Sequence, residues 1–297
     1  MPVVTVLIPT HDHAETLPIA IASVQEQTLQ DFELLVVGDG VGEATRKIAS
    51  ELSALDHRIR FFDFPKGPRK GEIYRHAVLK EAGGRIVAYL GDDDLWMPDH
   101  LETLDAALRD ADFAHTLHLG IDAEGLLFAW PADLENAAYR ERLLSEMYNS
   151  FDLTFAGHTL DAYRRLPEGW RTTPREFPWT DLYMWRQFLS QPWCRAKSVM
   201  VLTAISTQTH LRPHLSNRER AEDLARWRDD LARLGYRESL GRKVLKDFAR
   251  QLVARDLELA SLSGLRASAG AVLKRHLPWR IKGPLREMQR RLASRRH

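Results

Sequence analysis

Three short apolar runs recur through the first hundred residues of the chain, at 3–8, 32–40 and 85–91, and a fourth predicted strand, RIRFFDF at 58–64, mixes apolar and charged residues. Each run is followed by a segment whose apolar positions repeat at helical spacing, as Leu17, Ile21 and Val24 do. Apolar runs of this length are typical of buried parallel strands. Their alternation with amphipathic helices predicts an α/β fold with a Rossmann-type, mostly parallel sheet flanked by helices. Pro18 fits its helix only in the first turn.

The pattern changes after residue 112. The stretch 113–130 predicts two or three strands around a turn at Glu124-Gly125. A proline- and aromatic-rich loop at 170–179 precedes a predicted helix, TDLYMWRQFL, and a predicted strand, SVMVLTAIST. From Ser216 onward the pattern predicts a helical C-terminal extension. The remaining predicted elements are a helix at 133–147, a strand at 151–156 and a helix from about 158.

Polar clusters stand where three of the early strands end: Thr10-His11-Asp12, Asp39-Gly40 and Asp92-Asp93-Asp94. In open α/β sheets, ligands bind beyond the carboxyl ends of the strands. We therefore expect the three clusters to converge on one crevice.

The three adjacent aspartates repel one another unless a cation neutralises them. Mg²⁺ and Mn²⁺ take oxygen ligands and are commonly held by one or two carboxylates together with substrate phosphates. The cluster, with cations nearby in the sequence, therefore predicts a nucleoside-diphosphate site. The alternative is that Asp93 and Asp94 only cap the helix that follows.

Composition adds three limits. The 297 residues carry a net charge of +1, which gives no whole-chain field for a nucleic-acid partner. The single cysteine, Cys194, excludes a disulfide framework and a cysteine-based zinc cluster. The N-terminus lacks the features of a signal peptide, which predicts a cytoplasmic protein, or one peripheral to the inner membrane face.

Charge is unevenly distributed along the chain. Residues 264–297 hold ten Lys or Arg residues against one acid, Glu287. With its apolar residues, this basic tail is expected to contact an anionic membrane surface. The alternative is a solvated terminus.

Three segments together resemble family 2 glycosyltransferases: VTVLIPTHDHAETLPIAIASVQEQTLQDFELLVVGDG, YRHAVLKEAGGRIVAYLGDDDLWMPDHL and TDLYMWRQF. The resemblance implies a GT-A-like fold and an inverting, metal-dependent enzyme that uses nucleotide-activated sugars, with Mn²⁺ or Mg²⁺ as cofactor. It implies a nucleotide-sugar-binding half at 1–120 and an acceptor-binding half of the same catalytic domain at 121–215. The helical region at 216–297 follows.

The resemblance also implies roles for residues of the first half. The segment Pro9, Thr10, His11, Asp12 stands where the family contacts the nucleobase, with His11 replacing the usual aromatic residue. Asp39 matches the acid that binds the base, usually uracil, while the acid that normally precedes it is Gly38. Arg75 matches an arginine near the ribose and phosphates.

In the family's aspartate-any-aspartate motif, the first acid falls at Gly91 and the second at Asp93. The resemblance therefore implies Asp93 as the metal ligand. Asp92 supplies the missing carboxylate to the ribose or metal, and Asp94 is expected to orient the loop. Lys66, Arg69 and Lys70 are expected to face the diphosphate, unless they form only a solvated loop.

Inverting transfer requires a general base for the acceptor hydroxyl. Asp181, with Trp185 four residues later, matches the family's pattern for this base; the alternative is an acid favoured by the helix dipole. His210 and His214 follow a predicted strand where related folds place a metal or diphosphate ligand, and His210 is the metal candidate.

His158 and Trp179 are acceptor-side candidates, as are Trp170 and Trp193, although core packing is the commoner fate of tryptophan.

The predicted function is transfer of a sugar from a nucleoside-diphosphate donor to a hydroxyl group of a glycan or lipid-linked acceptor. Because the nucleobase that the family usually binds is uracil, the predicted donor is a UDP-sugar. One alternative is a sugar nucleotidyltransferase. Such an enzyme is expected to have a glycine-rich loop after the first strand, whereas the segment IPTHDHAETL contains no glycine. Another is a non-catalytic membrane or nucleic-acid binder acting through the tail. We expect no nucleic-acid partner.

Overall fold

The computed structural model describes residues 1–121, 127–128, 132–150, 152–207 and 209–276. The chain divides into two compact units, Met1–Val244 and a second unit that begins at Leu245. The predicted turn at Glu124-Gly125 and the last part of the basic tail, 277–297, lie outside the described residues. The domain boundaries predicted at residues 120 and 215 stay predictions.

One sheet organises the first unit, and its strand order is β3-β2-β1-β4-β8-β6-β9-β5, with β7 beside β6. Its strands are β1 (Val4–Thr10), β2 (Phe32–Asp39), β3 (Ile59–Phe64), β4 (Ile86–Tyr89), β5 (Leu95–Trp96), β6 (Phe113–Ile121), β7 (Leu127–Phe128), β8 (Ala156–Thr159) and β9 (Ala196–Ser206).

The first four strands in this order are parallel, as the apolar runs predict. Strand β1 pairs with β2 and β4 in parallel register, with Leu7 opposite Leu35 on one side and Tyr89 on the other. The loops after these strands therefore leave the sheet at the same edge. The predicted α/β fold class is confirmed.

Antiparallel pairs are confined to the second half of the sheet. Strand β8 lies antiparallel between β4 and β6, and β5 lies antiparallel to β9, while β6 and β9 are parallel. The strand predicted at 151–156 begins instead at Ala156. The preceding residues form a turn, in which the Asp152 carboxylate accepts a hydrogen bond from the Thr154 N–H at 3.0 Å.

Helices cover the sheet between the strands. They are α1 (Leu17–Gln25), α2 (Glu43–Leu55), α3 (Glu72–Leu79), α4 (His100–Ala107), α5 (Ala137–Ser145), α6 (Leu160–Arg165), α7 (Thr180–Leu189), α8 (Asn217–Leu231) and α9 (Tyr236–His276). Pro18 lies in the first turn of α1, as expected. Ser216 and Glu219 form a capping box that fixes the start of α8.

The main core lies between the sheet and its helices, and strand residues such as Val6, Leu35 and Val87 are fully buried in it. A smaller apolar cluster joins β5 and β9 to α8 and the start of α9 through Leu95, Ile205, Leu224 and Leu240. Helix α8 is therefore packed against the sheet. In the described part of the chain, no helix is both long enough and apolar enough to cross a membrane.

Candidate active site

A cleft of about 840 Å³ opens beyond the carboxyl ends of β1, β2 and β4. It brings together most of the predicted site residues, although they come from distant parts of the chain. Those that line it are Pro9, Thr10, His11, Asp39, Arg69, Arg75, Asp92, Asp93, Trp179, Asp181 and His210. The three polar clusters predicted to converge thus contribute to one crevice.

The cluster at the end of β4 contains a histidine in addition to the aspartates. The Nδ1 atom of His13 lies 2.8 Å from Oδ1 of Asp92, and this hydrogen bond raises the pKa of His13 to about 9. The other carboxylate oxygen, Oδ2 of Asp92, is buried and has no hydrogen-bond partner among the described residues. Asp92 is therefore a buried carboxylate whose second oxygen meets no donor in the described part of the chain.

These residues fit a divalent cation. One potential ligand atom from each of His13, Asp92 and Asp93 lies within 4.8 Å of the other two. Two carboxylates and an imidazole are suitable ligands for Mn²⁺ and related ions. His210, the sequence-predicted metal candidate, is exposed at the mouth of the same cleft but lies outside this three-residue cluster.

Asp94 also lines the cleft, and its carboxylate is held by hydrogen bonds within the protein. Its carboxylate accepts hydrogen bonds from the Thr154 hydroxyl and from the Thr207 N–H, the latter at 2.9 Å. Burial, with the charges of Asp93 and Asp152, raises its pKa well above the ordinary value. A Cβ atom at Gly91 would lie 2.7 Å from Oδ2 of Asp94. The Asp94 carboxylate therefore occupies the space that a side chain at position 91 would need.

Asp39, the last residue of β2, anchors the basic loop 65–71, which follows β3. One of its carboxylate oxygens pairs with the Lys66 ammonium group, and the other accepts the Gly67 N–H at 2.6 Å. Lys66 also donates to the carbonyl oxygens of Gly67 and Arg69. All three ammonium protons thus have acceptors within the protein. Gly71 has a φ of 64°, and a Cβ there would lie 2.5 Å from Cγ of Asp39.

Arg69 crosses from this loop to the other wall of the cleft. Its Nη2 donates to the carbonyl oxygen of Phe177 at 2.8 Å, and its Nη1 lies 3.5 Å from that of Arg175. Its own backbone is left-handed, with a φ of 56°, which is uncommon for a residue other than glycine. The loop is therefore tied to the segment that leads into α7.

Arg75 is a buried cation beside the cleft. Its guanidinium lies 4.7 Å from the ring centre of Trp170, and Nη2 donates to the carbonyl oxygen of Lys70. Its Nε has no hydrogen-bond partner among the described residues, and burial lowers its pKa. A buried guanidinium with an unused donor is suited to an anionic ligand.

Asp181 lies in the first turn of α7 and lines the same cleft as the aspartate cluster. Its Oδ1 accepts the N–H of Leu182 at 2.8 Å. Burial raises its pKa, while that N–H and the positive charges of Lys70 and Arg75 act in the opposite direction. The result is a half-buried carboxylate with a raised proton affinity, facing the same cleft as the cations.

Two predicted site residues lie elsewhere. The Asp12 carboxylate accepts the N–H of Gly42 at 3.1 Å and is mostly exposed, so it holds the loop and does not line the cleft. His158 is fully buried, and its Nε2 lies 2.7 Å from the Tyr89 hydroxyl. Burial lowers its pKa to about 4. It belongs to the core and is not an acceptor-side residue.

The two other tryptophans considered do not line the cleft either. Trp170 is buried, and its Nε1 donates to the Tyr89 hydroxyl at 2.9 Å. Trp193 packs under Arg165 at the edge of the core. Only Trp179 of the acceptor-side candidates lines the cleft.

Sequence reasoning missed several cleft residues. His13 stands in the same IPTHDH segment as His11, so its position directly after β1 could have identified it as a site residue. His118 and Asp152 also line the cleft, but they come from β6 and the turn before β8. No local pattern distinguishes them from ordinary strand and turn residues.

A family model for glycosyl transferase family 2 matches residues 5–163, which is more than half of the chain. The chain belongs to this family. The match covers the parallel strands, the aspartate cluster and β8, and it ends before the segment that carries Asp181.

Two family 2 relatives illustrate the similarity. The chain is 35% identical over 101 residues to the UDP-Glc:alpha-D-GlcNAc-diphosphoundecaprenol beta-1,3-glucosyltransferase WfgD of Escherichia coli, which covers 33% of this chain and 38% of that protein. It is 32% identical over 107 residues to the GalNAc(5)-diNAcBac-PP-undecaprenol beta-1,3-glucosyltransferase of Campylobacter jejuni. That alignment covers 35% of this chain and 34% of the C. jejuni protein. The chain thus spans little more than a third of the curated relatives it matches.

Solved structures agree on the fold. Staphylococcus aureus TarS, residues 1–349, superimposes with a TM-score of 0.53 at 16% identity, over 69% of this chain and 60% of that one. The fold is that of the GT-A glycosyltransferases.

Proposed function

We propose that this family 2 protein transfers a sugar, with inversion, from a nucleoside-diphosphate donor to a hydroxyl group of a lipid-linked glycan. The observation that carries the proposal is the composition of this cleft. The cleft is lined by the cluster of His13, Asp92 and Asp93 and by the half-buried carboxylate of Asp181. It is also lined by Arg75, whose guanidinium interacts electrostatically with Glu72 most strongly, and also with Asp181 and Asp39. A diphosphate, a cation and a proton acceptor are what such a transfer requires.

In this proposal the donor lies along the carboxyl edge of the sheet. His11, whose Nδ1 donates to the Asp39 carbonyl oxygen at 2.7 Å, presents a half-exposed ring on which a nucleobase stacks. Pro9, Thr10 and Asp39 form the rest of the base site. Lys70 and Arg75 are the cations best able to meet the diphosphate, because the Lys66 ammonium protons are already bound.

The proton and the bonds balance within the cleft. The acceptor oxygen forms a bond to C1 of the donor sugar as the bond from C1 to the diphosphate breaks, and Asp181 takes the hydroxyl proton. A bound divalent cation would neutralise charge on the departing diphosphate. His13, Asp92 and Asp93 would hold it. Trp179, which lines the same cleft, offers an apolar face to the acceptor.

The names of the relatives suggest which substrates to try first. The E. coli relative is named for UDP-glucose and a diphosphoundecaprenol acceptor, and the C. jejuni relative for an undecaprenol-linked glycan. We propose UDP-glucose or a similar UDP-hexose as donor and a diphosphate-lipid-linked glycan as acceptor. Peripheral contact of residues 264–297 with an anionic membrane surface would keep the protein at the surface that holds such an acceptor.

Donor binding tests the proposal most directly. Thermal unfolding is measured with UDP, UDP-glucose, UDP-GlcNAc and a GDP-sugar, each with and without Mn²⁺, because a ligand of the native state raises the unfolding temperature. We expect a rise with UDP-sugars and Mn²⁺ that is lost in Asp93→Asn. Asp110→Asn, a change at an exposed acid outside the cleft, is the control. Absence of stabilisation by every sugar nucleotide with metal present would refute the proposal.

Transfer itself is measured with a synthetic lipid-linked acceptor and radiolabelled UDP-glucose. Membrane contact is measured separately, by flotation with vesicles that contain phosphatidylglycerol. A variant with four tail arginines changed to glutamine, Arg290, Arg291, Arg295 and Arg296, should float less than the unchanged chain. Equal flotation of both would exclude the tail as the contact.

A further inference from the structure

The position of His13 beside the aspartates follows from the sheet. Strands β1 and β4 are adjacent and parallel, with Leu7 opposite Tyr89, so the loops that follow them leave the sheet side by side. His13 lies in the first of these loops, and Asp92 and Asp93 lie in the second. The histidine therefore reaches the cluster through the topology of the sheet.

The cluster of His13, Asp92 and Asp93 has an unused coordinating atom that a bound cation could satisfy. Asp92 is 7% exposed, yet its Oδ2 meets no hydrogen-bond donor among the described residues. The His13 side chain is 30% exposed, so the ring borders both the buried carboxylate and the open cleft. A cation between them would satisfy the unused carboxylate oxygen, which is otherwise costly to bury.

The chain lacks a carboxylate where the aspartate motif would begin. The space beside Gly91 is filled by the Asp94 carboxylate, which the Thr154 hydroxyl and the Thr207 N–H hold in place. A side chain at position 91 is thus excluded from the metal cluster. Any third protein ligand therefore has to come from another element, and His13 is the residue that the described structure places there.

We propose that His13 is a direct ligand of the divalent cation, and that its nitrogen makes the site select Mn²⁺ over Mg²⁺. Mg²⁺ strongly prefers oxygen ligands and retains its water molecules, whereas first-row transition ions accept imidazole nitrogen readily. Two carboxylates with one imidazole therefore suit Mn²⁺ better than three carboxylates would. This inference rests on the proposed function, since it concerns the cation of the same cleft.

A competing arrangement is that His13 only orients Asp92 through their 2.8 Å hydrogen bond, with oxygen atoms alone on the cation. Residues that orient a metal ligand also influence affinity, so affinity alone does not separate the two arrangements. A direct signal from nitrogen is needed.

The experiment uses the whole chain with Mn²⁺ or Mg²⁺ alone at fixed pH. Isothermal titration calorimetry gives both dissociation constants, and pulsed electron paramagnetic resonance of bound Mn²⁺ detects a directly coordinated nitrogen. We expect nitrogen modulation in the unchanged protein. Incorporation of ¹⁵N-labelled histidine should change its frequency, and this test requires no substitution.

Three variants locate the nitrogen. His13→Gln should remove the modulation, weaken Mn²⁺ binding by about tenfold or more, and reduce the preference for Mn²⁺ over Mg²⁺. His57→Gln, at an exposed histidine before β3, is the matched control and should leave all three quantities unchanged. His210→Gln tests the other histidine of the cleft.

Three results would overturn the proposal: no histidine nitrogen signal in the unchanged protein, an unchanged signal in His13→Gln, or loss of the signal in His210→Gln instead. Thermal unfolding in EDTA shows whether His13→Gln is folded. Failure of sugar transfer would count against the proposed function and leave this inference standing, because metal binding is measured without donor or acceptor.

Discussion

Arg69 donates a hydrogen bond from Nη2 to the carbonyl oxygen of Phe177 at 2.8 Å. This contact joins the basic loop after β3 to the segment that leads into α7. Glu72, which is fully buried, makes a second connection, since its carboxylate accepts the N–H groups of Lys70 and Thr173. The two walls of the cleft are thus held to one another on the side where Asp181 lies.

Loss of the Arg69 contact should disturb the placement of Asp181 more than donor binding. We expect Arg69→Ala to lower kcat by up to about 100-fold, because small displacements of a reacting group are costly. The dissociation constant for UDP should change little, and Arg69→Lys should recover part of the rate. Amide hydrogen exchange should increase at 177–182 in Arg69→Ala and not in the control Arg109→Ala. A large loss of UDP affinity would instead make Arg69 a donor ligand.

Asp181→Asn should abolish the proton acceptor while keeping the size of the side chain. We expect the transfer rate to fall by about 10²–10⁴-fold, with UDP binding retained. Glu176→Gln, at an exposed acid in the preceding loop, serves as the control. Equal loss of transfer in both variants, or a normal rate in Asp181→Asn, would rule out Asp181 as the base.

The pH dependence of the rate should respond to Lys70. Burial raises the pKa of Asp181, and the positive charge of Lys70 lowers it. The carboxylate accepts a proton only when ionised, so the rate should fall as pH drops through this pKa. Lys70→Met removes the lowering charge and should move the acidic limb of kcat to higher pH. Lys47→Met, on an exposed face of α2, should not move it.

Asp94 should contribute to stability through its hydrogen bonds. Asp94→Ala leaves the Thr154 hydroxyl and the buried Thr207 N–H without their acceptor, at a cost of about 1–3 kcal/mol of unfolding free energy. Asp94→Asn keeps an oxygen for Thr207 and removes the buried charge, so it should be much closer to the unchanged protein. Urea unfolding in EDTA measures both, and equal destabilisation would contradict this assignment.

The buried histidines should make the fold sensitive to acid. Burial lowers the pKa of His100 and His118 to about 3, and of His115 and His158 to about 4, from 6.5. Below 6.5 the unfolded chain binds protons that the folded chain does not. Stability should therefore decrease as pH falls, by about 1.4 kcal/mol per pH unit for each such proton.

Urea unfolding across this pH range gives the number of protons. His118→Phe keeps a ring stacked on Phe155 and should reduce the slope by one proton. His57→Gln, at an exposed histidine, should leave the slope unchanged. A free energy of unfolding that does not change with pH would contradict the prediction that the buried histidines make the fold sensitive to acid.

The parallel half of the sheet could be predicted mainly because β1, β2 and β4 are continuous apolar runs that are almost completely buried and are followed by polar residues. The convergence of Asp39 and Asp92 followed from the same pattern, since parallel strands end at one edge. The antiparallel strands were harder to predict from the sequence. Strand β5 has two residues, and the strand after Asp152 begins later than its apolar pattern indicates, because the Asp152 carboxylate binds the Thr154 N–H and holds the preceding residues in a turn.

The sequence by itself determined the α/β class, the edge of the sheet at which the polar clusters meet, and the family to which the chain belongs. These depend on local periodicity and on residues close together in the chain. Only the tertiary structure decided that His13 joins the aspartates, that Lys66 is bound by Asp39, and that His158 lies in the core. Each depends on which side chains meet across the fold, and burial and hydrogen bonding between distant residues leave no periodic signal in the sequence.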